Sequence, residues 1–533
     1  MTFLRVALVG SDQQDNLALG YLASAAQAHG HQVELVRFNT RQDIDPCVDR
    51  IRNTDPDVVG LGISFQYTIQ DYLDLAQQIR SRGYRGHITC GGHVPTFSFR
   101  EILEEAPGID TVVRHEGEET LVHLLGLLAE GKPARGIPGL VWRESGGVMV
   151  GTVRPPISDL DALSPPKRRQ PPHPVAGVPI AFLLTSRGCV GDCAYCSIRS
   201  FNRDMGGPGL RMREPEAVAD EITALCRSDG IRIFFVQDDL FILPDEQKTI
   251  MRMQSMSRAL RARKVEGALF WIKGRPESIT RSVLEAAGEM GAIHIFLGVE
   301  NASSERLRYL GRVHHAEDNR CAIALAREAR IRTSFNVMLF DPGVSLEEVA
   351  LNLDFLEETR DLPWNVCRTE VYSGTRLLER LTSEGRLSGD YKSYGYRMAD
   401  TRAEILFRIM RVALHHRAFA FESLLNKLIT LSFSRQVHEA LFPGPGTDAL
   451  SDKVDRLLVE VHQDSVDTMR RMLDFAAKAD PSDKETIRSY AVRAAVEVNA
   501  RDLAWVGRVE DLSSILSARG SVLLKDRDGT QAE

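Results

Sequence analysis

Residues 187–199 read RGCVGDCAYCSIR and place three thiols, Cys189, Cys193 and Cys196, within eight consecutive positions. The chain has 533 residues and only eight cysteines, so random placement would give about 0.002 triplets of this spacing. The other five cysteines are scattered along the chain. Eight cysteines are also too few for a disulfide framework in a protein of this length. The triplet therefore indicates a site selected for chemistry.

Three thiolates are a standard ligand set for an iron–sulfur cluster, and full ligation of a cubane takes four. No fourth cysteine lies near the triplet in the sequence, so one iron would stay open for a chelating ligand. Three cysteines and a distant histidine could instead hold zinc, although zinc sites usually use paired C-x2-C motifs. We therefore predict a [4Fe-4S] cluster on Cys189, Cys193 and Cys196, with zinc as the alternative.

The triplet directly follows the first of six strand-like segments that alternate with helical ones. The six segments are Ile180–Ser186, Ile231–Asp238, Ala268–Gly274, Ala292–Glu300, Thr333–Asp341 and Trp364–Tyr372. Their spacing of about 32 residues is that of a βα unit. The pattern predicts a partial (β/α)6 barrel of the TIM type, with the triplet at the carboxyl ends of the strands, where barrel active sites are built.

The first 145 residues alternate short apolar runs with amphipathic stretches. Strands are predicted at Leu4–Val9, Gln32–Val36, Val58–Ile63, His87–Cys90 and Thr111–Arg114, with helices such as Leu17–Gly30, Thr68–Arg82 and Glu118–Glu130 between them. This alternation predicts a doubly wound, Rossmann-like parallel sheet. Ligands of such sheets bind beyond the carboxyl ends of the strands. Here those ends are the loops Gly10–Asn16, Ser64–Tyr67, Gly91–Thr96 and His115–Glu118.

The remaining segments complete an α/β fold with a helical addition. Residues 146–179 are rich in proline and lack periodicity, which predicts an interdomain linker. From Arg402 to Arg519 apolar residues recur at helical spacing. We therefore predict four segments along the chain: a sheet domain at 1–145, the linker at 146–179, the barrel at 180–390 and a helical C-terminal domain at 391–533.

Composition excludes several classes of protein. Hydrophobic residues make up 43% and charged residues 26% of the chain, which is typical of a globular protein. The net charge of −7 and the absence of long basic runs predict no nucleic-acid surface. No run approaches about 20 apolar residues, and the first apolar run is too short for a signal peptide. The sequence predicts a cytoplasmic protein with no membrane partner.

The residues around the triplet resemble the radical S-adenosylmethionine (SAM) enzymes, whose hallmark is C-x3-C-x2-C after the first barrel strand. Tyr195 matches an aromatic position near the adenine, and FFVQDDLF (234–241) is similar to the segment facing the SAM amino group. GVENASSERLRYLGR (298–312) is similar to a later segment in which Glu300 would contact SAM. The resemblance implies that Tyr195, Gln237, Asp238 and Glu300 bind SAM.

Two late segments resemble the family less closely. MLFDPG (338–343) is similar to a "GxPG" segment with Phe340 in place of the first Gly. EVYSGTRLLERLTSEGRL (370–387) is similar to a "PyPGTxLyexxxxxGxL" segment with Val371 and Ser373 in place of the two Pro. These departures leave a SAM contact from either segment in doubt.

The front domain resembles the cobalamin-binding domain of the B12-dependent radical SAM branch. The resemblance rests on DPDVVGLGISFQYTIQDYLDLAQQIR (55–80), ITCGGHVPTFSFREIL (88–103) and DTVVRHEGEETLVHLL (110–125). It implies cobalamin contacts from Ser64, Gln66, Gly91, Gly92, His93 and Glu116. No D-x-H-x-x-G motif occurs, so the cobalt is not expected to take a histidine from that loop. A Gly-Gly pair after a strand is also common turn chemistry, which is the alternative for Gly91 and Gly92.

The joint resemblance implies a cobalamin-dependent radical SAM C-methyltransferase acting on an unactivated carbon. In such enzymes the reduced cluster cleaves SAM, the resulting radical abstracts hydrogen from the substrate, and methylcobalamin delivers the methyl group. An electron donor such as a flavodoxin or a ferredoxin is implied. The alternatives are a cyclisation or rearrangement with the same cofactors, and a cobalamin- or redox-sensing protein. A small molecule, a carrier-bound acyl group and a peptide all remain open as substrates.

Several further residues have two interpretations. Asp238 and Asp239 could be an acid/base pair, but an acidic strand end near a cluster more often orients SAM or caps a helix. Trp271 and Trp364 could line a substrate cavity or belong to the core. The pairs His314-His315 and His415-His416 are expected to be partly exposed helix residues rather than ligands.

Replacing Cys193 with alanine is expected to remove most iron and sulfide and to abolish SAM cleavage, because thiolate is the cluster ligand. The same change at Cys226, outside the triplet, should have little effect. Iron and sulfide content and release of 5′-deoxyadenosine measure the outcome. Full iron content and normal cleavage in the Cys193 variant would contradict the assignment.

Overall fold

The computed structural model describes residues 3–529, with side chains through Leu524. The chain forms two compact units that interleave along the sequence. The first comprises Met1–His173, Phe182–Glu221 and Glu370–Gly395. The second comprises Pro174–Ala181, Ile222–Thr369 and Tyr396–Glu533.

The N-terminal sheet of the first unit is mainly parallel. Its elements are β1 (Arg5–Gly10), α1 (Leu17–Ala28), β2 (Gln32–Arg37), α2 (Ile44–Thr54), β3 (Val58–Gly62), α3 (Ile69–Ser81), β4 (His87–Gly91), α4 (His93–Phe97), α5 (Phe99–Glu105), β5 (Thr111–Val113), α6 (Glu118–Ala129), β6 (Leu140–Glu144) and β7 (Gly147–Val150). The strand order is β2-β1-β3-β4-β5-β6-β7. The first five strands run parallel, which confirms the predicted doubly wound sheet.

The hairpin β6–β7 was not predicted, and it adds two antiparallel strands at the sheet edge. Glu144 pairs with Gly147, so Ser145 and Gly146 form a two-residue turn. Gly147, the first residue of β7, has φ 119°, a backbone conformation that favours glycine. The start of the segment predicted as a linker is therefore part of the sheet.

The middle of the chain contains the barrel strands and the segment with the cysteines. Its elements are β8 (Pro174–Val175), β9 (Val178–Leu183), β10 (Ser186–Gly188), α7 (Ile198–Asp204), β11 (Leu210–Met212), α8 (Pro215–Asp229), β12 (Ile233–Val236), α9 (Glu246–Ala262), β13 (Leu269–Gly274), α10 (Arg281–Met290), β14 (Ala292–Glu300), α11 (Ser304–Tyr309), α12 (Ala316–Glu328), β15 (Arg332–Phe340), α13 (Leu346–Glu358), β16 (Trp364–Arg368), α14 (Arg376–Ser383), β17 (Leu387–Ser388) and β18 (Gly395–Tyr396).

The barrel sheet has the order β16-β15-β14-β13-β12-β9-β8, and β12 through β16 are parallel. Six of these strands correspond to the six predicted segments, which confirms the partial (β/α)6 barrel. Successive residues of β13 alternate in burial, with Phe270 and Ile272 fully buried and Trp271 and Lys273 half-buried. Because side chains alternate between the two faces of a strand, Trp271 and Lys273 share one face.

The C-terminal region is helical, as predicted. It contains α15 (Thr401–Ala413), a π-helical turn (His415–Phe419), α16 (Leu424–Leu441), α17 (Pro445–Lys478) and α18 (Lys484–Gly529). No helix within the described part of the chain is both long and apolar enough to cross a membrane.

The helical region packs on the barrel strands of the second unit. His294 of β14 is hydrogen-bonded to Gln436 of α16 at 2.8 Å, and Trp364 stacks on His462 of α17 at 3.9 Å between ring centroids. Trp364 is fully buried in this contact and so belongs to the core. Trp271 stays half-buried and stacks against His294, with 5.6 Å between centroids.

A buried arginine ties three helical segments of this region together. Arg417, in the π-helical turn, is fully buried and donates to Asp502 at 2.9 and 2.5 Å and to Asp464 at 2.6 Å. Its guanidinium also lies over the ring of Trp505 at 5.0 Å. The charge is therefore compensated on all sides.

Replacing Arg417 with alanine is expected to lower the free energy of unfolding by about 3–5 kcal/mol, because Asp502 would stay buried without a partner. Arg408→Ala is the control, since Arg408 is exposed and pairs only with Glu404 on its own helix. That change should cost about 0.5 kcal/mol or less. Denaturant unfolding followed by far-ultraviolet circular dichroism measures both. Equal costs would contradict a central role for Arg417.

Candidate functional site

The predicted cluster cysteines lie together on one loop of the first unit, between β10 and α7. All three are half-buried, and the eight cysteines of the chain are reduced thiols. The backbone N–H of Gly191 donates to Cys189 Sγ at 3.3 Å, and that of Cys196 donates to the Cys193 carbonyl at 3.2 Å. Donation to sulfur favours the thiolate that a cluster requires.

Among the described residues, no three His, Cys, Asp or Glu side chains lie in an arrangement that would hold a single metal ion. The cysteines of a cubane each bind a different iron, so a cluster does not require that arrangement. The donor set of three thiols on one loop therefore fits the predicted cluster.

The cysteine loop and α7 connect two antiparallel strands, β10 and β11, which we call the hairpin. One arginine from each of these strands binds the same carboxylate, that of Glu116. Arg187 of β10 and Arg211 of β11 face each other in the antiparallel register. Arg211 binds both oxygens of Glu116, at 2.9 and 2.7 Å, and Arg187 lies 3.2 Å from Glu116 Oε1. The backbone N–H of Ile157 donates to Glu116 Oε2 at 2.8 Å. Both oxygens of Glu116, a residue predicted to contact cobalamin, are therefore already bonded within the protein.

Charge complementarity at this hairpin is strong. Arg187 also pairs with Glu118 at 2.6 Å, and both carboxylate side chains are nearly buried. Burial alone would lower the pKa of Arg187, but the two carboxylates raise it above its ordinary value. Burial alone would raise the pKa of Glu116, but the hydrogen bond from Arg211 and the charge of Arg187 lower it. Arg187 and Glu116 are therefore both ionised at neutral pH.

At the C-terminal end of the cysteine loop, the side chains of His93 and His115 contact α7. Phe201 of α7 lies 4.5 Å from the His93 ring and 5.1 Å from the His115 ring, measured between centroids. Ser197, the residue after Cys196, makes a 3.5 Å hydrogen bond with His93 Nδ1. Residues at the ends of β4 and β5 therefore contact the helix that leaves the cluster loop.

His115 was not among the predicted site residues. It adopts a left-handed backbone at φ 61°, and its N–H donates to Thr96 Oγ1 at 2.8 Å. The side chain is buried, and no hydrogen-bond partner is aligned with either ring nitrogen. Burial, together with the charge of Arg114, lowers the pKa of His115 to about 4, and burial lowers that of His93 to about 4. Both imidazoles are neutral at pH 7, and only the tertiary structure marks His115 as unusual.

The glycine pair at the end of β4 packs too closely against neighbouring backbone for other residues to fit easily. Gly92 has φ 117°, and a Cβ there would lie 2.4 Å from the carbonyl oxygen of Ile63. A Cβ on Gly91 would lie 3.1 Å from the carbonyl oxygen of Val113. Both residues stand at the carboxyl end of β4, between the parallel strands β3 and β5, where doubly wound sheets bind ligands.

The loop after β3 combines exposed and buried side chains. Ser64 is exposed, whereas Gln66 is buried. With its amide oxygen toward Tyr394 N at 2.9 Å and its nitrogen toward Val371 O at 3.3 Å, Gln66 satisfies both groups. Phe65 and Tyr67 are more than half exposed and stack at 5.5 Å between centroids. This stack is an apolar platform beside the glycine pair, suited to a large planar ligand.

The middle of the cluster loop meets a late segment of the chain. Tyr195 is half-buried on the loop itself. The N–H of Leu377 donates to the Ala194 carbonyl at 2.8 Å, and Arg376 pairs with Asp192 at 3.1 Å. Residues 376–377 thus stabilise the cysteine loop through one backbone hydrogen bond and one ion pair.

The second unit holds the other predicted SAM residues. Gln237 accepts a hydrogen bond from Lys273 at 3.3 Å, at the carboxyl end of β12. Asp238 is fully buried and pairs with Arg252 at 3.1 Å, which favours an orienting role over acid/base chemistry. Burial lowers the pKa of Lys273, while Asp239 and Asp238 oppose that shift.

Glu300 ends β14 in a left-handed conformation at φ 63°, and Arg312 lies 3.8 Å from its Oε1. Arg312 also donates to the Gly298 carbonyl at 2.7 Å. This pair places one negative and one positive group at the end of the strand, as a zwitterionic ligand such as SAM would need. Arg312 is the last residue of the segment 298–312, and the sequence analysis did not predict a role for it.

His314 and Glu277 form a second polar group at this end of the barrel, which the sequence analysis did not predict. His314 is buried rather than partly exposed, and its Nδ1 lies 3.3 Å from Glu277 Oε2. Burial alone would raise the pKa of Glu277, but His314 and Arg275 lower it to about 2. The Nη2 of Arg275 is buried with no hydrogen-bond partner, so this corner is polar and incompletely paired.

Two known protein families match separate parts of this chain. Residues 5–125 match the B12 binding domain family, and residues 183–356 match the radical SAM superfamily. The chain is 28% identical over 531 residues to the anaerobic magnesium-protoporphyrin IX monomethyl ester cyclase of Cereibacter sphaeroides, covering 91% of this chain and 82% of that protein.

Two solved structures share its fold. The radical SAM methyltransferase TsrM of Kitasatospora setae, with cobalamin and a [4Fe-4S] cluster bound, matches at TM-score 0.62 and 21% identity over 72% of this chain and 78% of that one. The cobalamin-dependent SAM radical enzyme OxsB with aqua-cobalamin matches at TM-score 0.64 and 18% identity over 97% of this chain and 84% of that one.

These findings define the class: a B12-binding domain joined to a radical SAM domain. The chain therefore carries both domains of a cobalamin-dependent radical SAM enzyme, and the cofactors that belong to these domains are a [4Fe-4S] cluster, SAM and cobalamin. The predicted class, fold and cofactors are confirmed, and the roles of individual residues remain predictions.

Gly92→Ala is expected to weaken cobalamin binding by roughly tenfold, because strain of about 1–3 kcal/mol at a positive φ adds to the clash with Ile63. Gly83→Ala is the matched control, since Gly83 has φ 93° but a Cβ there meets nothing within 4 Å. Titration of the full-length protein with hydroxocobalamin, followed by absorbance, measures both. Equal affinities would place cobalamin away from the glycine pair.

Proposed function

We propose that the protein is a C-methyltransferase that moves a methyl group from SAM, through cobalamin, to an unactivated carbon of a biosynthetic intermediate. One observation carries the proposal: the cysteine loop and the strand ends of the B12-binding domain belong to one compact unit, in contact on both sides of the loop. Cofactors held on adjoining loops can act on the same substrate carbon without a large conformational change.

The proposed roles of the residues follow from their positions. Cys189, Cys193 and Cys196 hold the cluster. Gly91 and Gly92 permit close approach of the corrin or its nucleotide tail, with Ser64, Gln66 and His93 around it. Tyr195, Gln237, Asp238 and Glu300 bind SAM, helped by Arg312 beside Glu300.

When bound, the cluster supplies the electron that cleaves SAM and cobalamin carries the methyl group. The chain itself binds, orients and excludes water. Neutral His93 and His115 add no charge beside the cluster loop, and the buried Asp238–Arg252 pair holds the end of β12 rigid. The Phe65–Tyr67 stack offers an apolar face to a large ligand.

A second candidate function is cyclisation with the same cofactors. The relative from Cereibacter sphaeroides carries that name and aligns with 91% of this chain. The TsrM structure carries the name methyltransferase and aligns with 72%. Either reaction needs a reductant for the cluster, for which a flavodoxin or ferredoxin is the proposed class of donor.

Reaction with methyl-deuterated SAM and a candidate substrate separates the two functions. Methyl transfer should place the label in the product and release 5′-deoxyadenosine and S-adenosylhomocysteine in comparable amounts. The Cys193→Ala variant is the control for cluster-independent methylation. An unlabelled product, or deoxyadenosine without S-adenosylhomocysteine, would favour cyclisation. Mass spectrometry of product and nucleosides provides the readout.

A further inference from the structure

We propose that Glu116 is a positioning residue, which holds the hairpin leading into the cysteine loop in register with the strand ends of the B12-binding domain. The inference rests on the cofactors of the chain and not on which reaction they perform. Glu116 would thus set the separation between cobalt and cluster without touching either cofactor.

The electrostatics of the hairpin require such a residue. Arg187 and Arg211 face each other directly, and like charges opposite one another destabilise a strand pair. Their side chains are only 15% and 4% exposed, so water screens the repulsion poorly. Glu116 binds both, and it is itself only 8% exposed. Glu116, three residues after β5, therefore neutralises charge on both strands of the hairpin, and Glu118 supplies the second negative charge to Arg187.

The hairpin leads straight into the cluster ligands. Arg187 stands two residues before Cys189, so a shift of its guanidinium moves the start of the loop. Arg211 also donates to the Ile157 carbonyl at 2.6 Å and to Asn202 Oδ1 at 3.3 Å. Asn202 belongs to α7, which leaves the loop, so the same network reaches both ends of the cysteine segment.

Residues 115–118 of the B12-binding domain make the contacts on the other side of this network. Glu116 follows His115, whose ring packs on Phe201, and Glu118 begins α6 and binds Arg187. His115, Glu116 and Glu118 thus contact the segments before and after the cysteines. Because both oxygens of Glu116 are bonded, positioning explains this residue better than a direct contact with cobalamin.

The test measures the cobalt-to-cluster separation in the full-length protein. The protein is reconstituted with iron and sulfide, loaded with cobalamin and reduced, so that cob(II)alamin and the reduced cluster are both paramagnetic. Pulsed electron paramagnetic resonance then reports their dipolar coupling. The wild type should give one narrow distribution of cobalt-to-cluster distances. The Glu116→Gln variant should give a broad one, because the glutamine NH2 group is a hydrogen-bond donor facing the donor groups of an arginine.

Glu119→Gln is the matched control, since Glu119 lies three residues further along the chain, in the first turn of α6, but is exposed and pairs with Arg154. It should keep the narrow distribution. The double variant Glu116→Leu with Arg211→Met removes both charges of the bidentate pair and leaves Arg187 its Glu118 partner. Exchange of both partners for apolar groups is tolerated better than loss of one. This variant should bind both cofactors and still show a broad distribution.

Iron, sulfide and cobalamin contents are measured first for each variant. Loss of iron with cobalamin retained supports the proposal, because the loop alone has lost its anchor. An unchanged narrow distribution in either Glu116 variant would overturn it. Loss of both cofactors together in both Glu116 variants would also overturn it, since Glu116 would then serve general folding.

Discussion

A single buried carboxylate between two facing arginines is the interaction on which the first unit depends. Arg187 and Arg211 would repel each other across the β10–β11 hairpin, and Glu116 supplies the charge that both require. A buried ion pair is costly to desolvate, and such pairs are weak evidence for stability by themselves. Their directional bonds do specify geometry. The two arginines of the hairpin are therefore tied to a carboxylate of the B12-binding domain.

That dependence explains why the compact units do not follow the order of the sequence. The segment Phe182–Glu221 comes after the first barrel strand begins, yet it makes its contacts with the N-terminal sheet and with Glu370–Gly395. The cysteine loop is held by the hairpin, by the contacts of Phe201 with His93 and His115, and by Leu377. The cysteine loop and the strand ends of the B12-binding domain thereby belong to one compact unit.

The barrel contributes a different kind of environment. Pairs of opposite charge stand at the ends of its strands: Asp238, which is fully buried, with Arg252, and Glu300, which is half-buried, with Arg312. The half-buried Lys273 and the buried Nη2 of Arg275, which has no hydrogen-bond partner within the described residues, leave capacity to bind a polar ligand. The chain is similar both to a protein named cyclase and to a solved structure named methyltransferase. The fold alone therefore does not decide between the two reactions.

The sequence by itself determined the cysteine triplet, the order of strands and helices, and the glycines at the end of β4, because each is a local pattern of spacing, periodicity or backbone freedom. The strand Ala292–Glu300 has the predicted bounds. Only the tertiary structure decided which charges meet. Glu116 and Arg211 are 95 residues apart, and no local signal links them. It also decided that Trp364 is core and that His314 and His115 are buried. Burial and long-range pairing depend on how distant segments pack, and a single sequence records only what lies next to what along the chain.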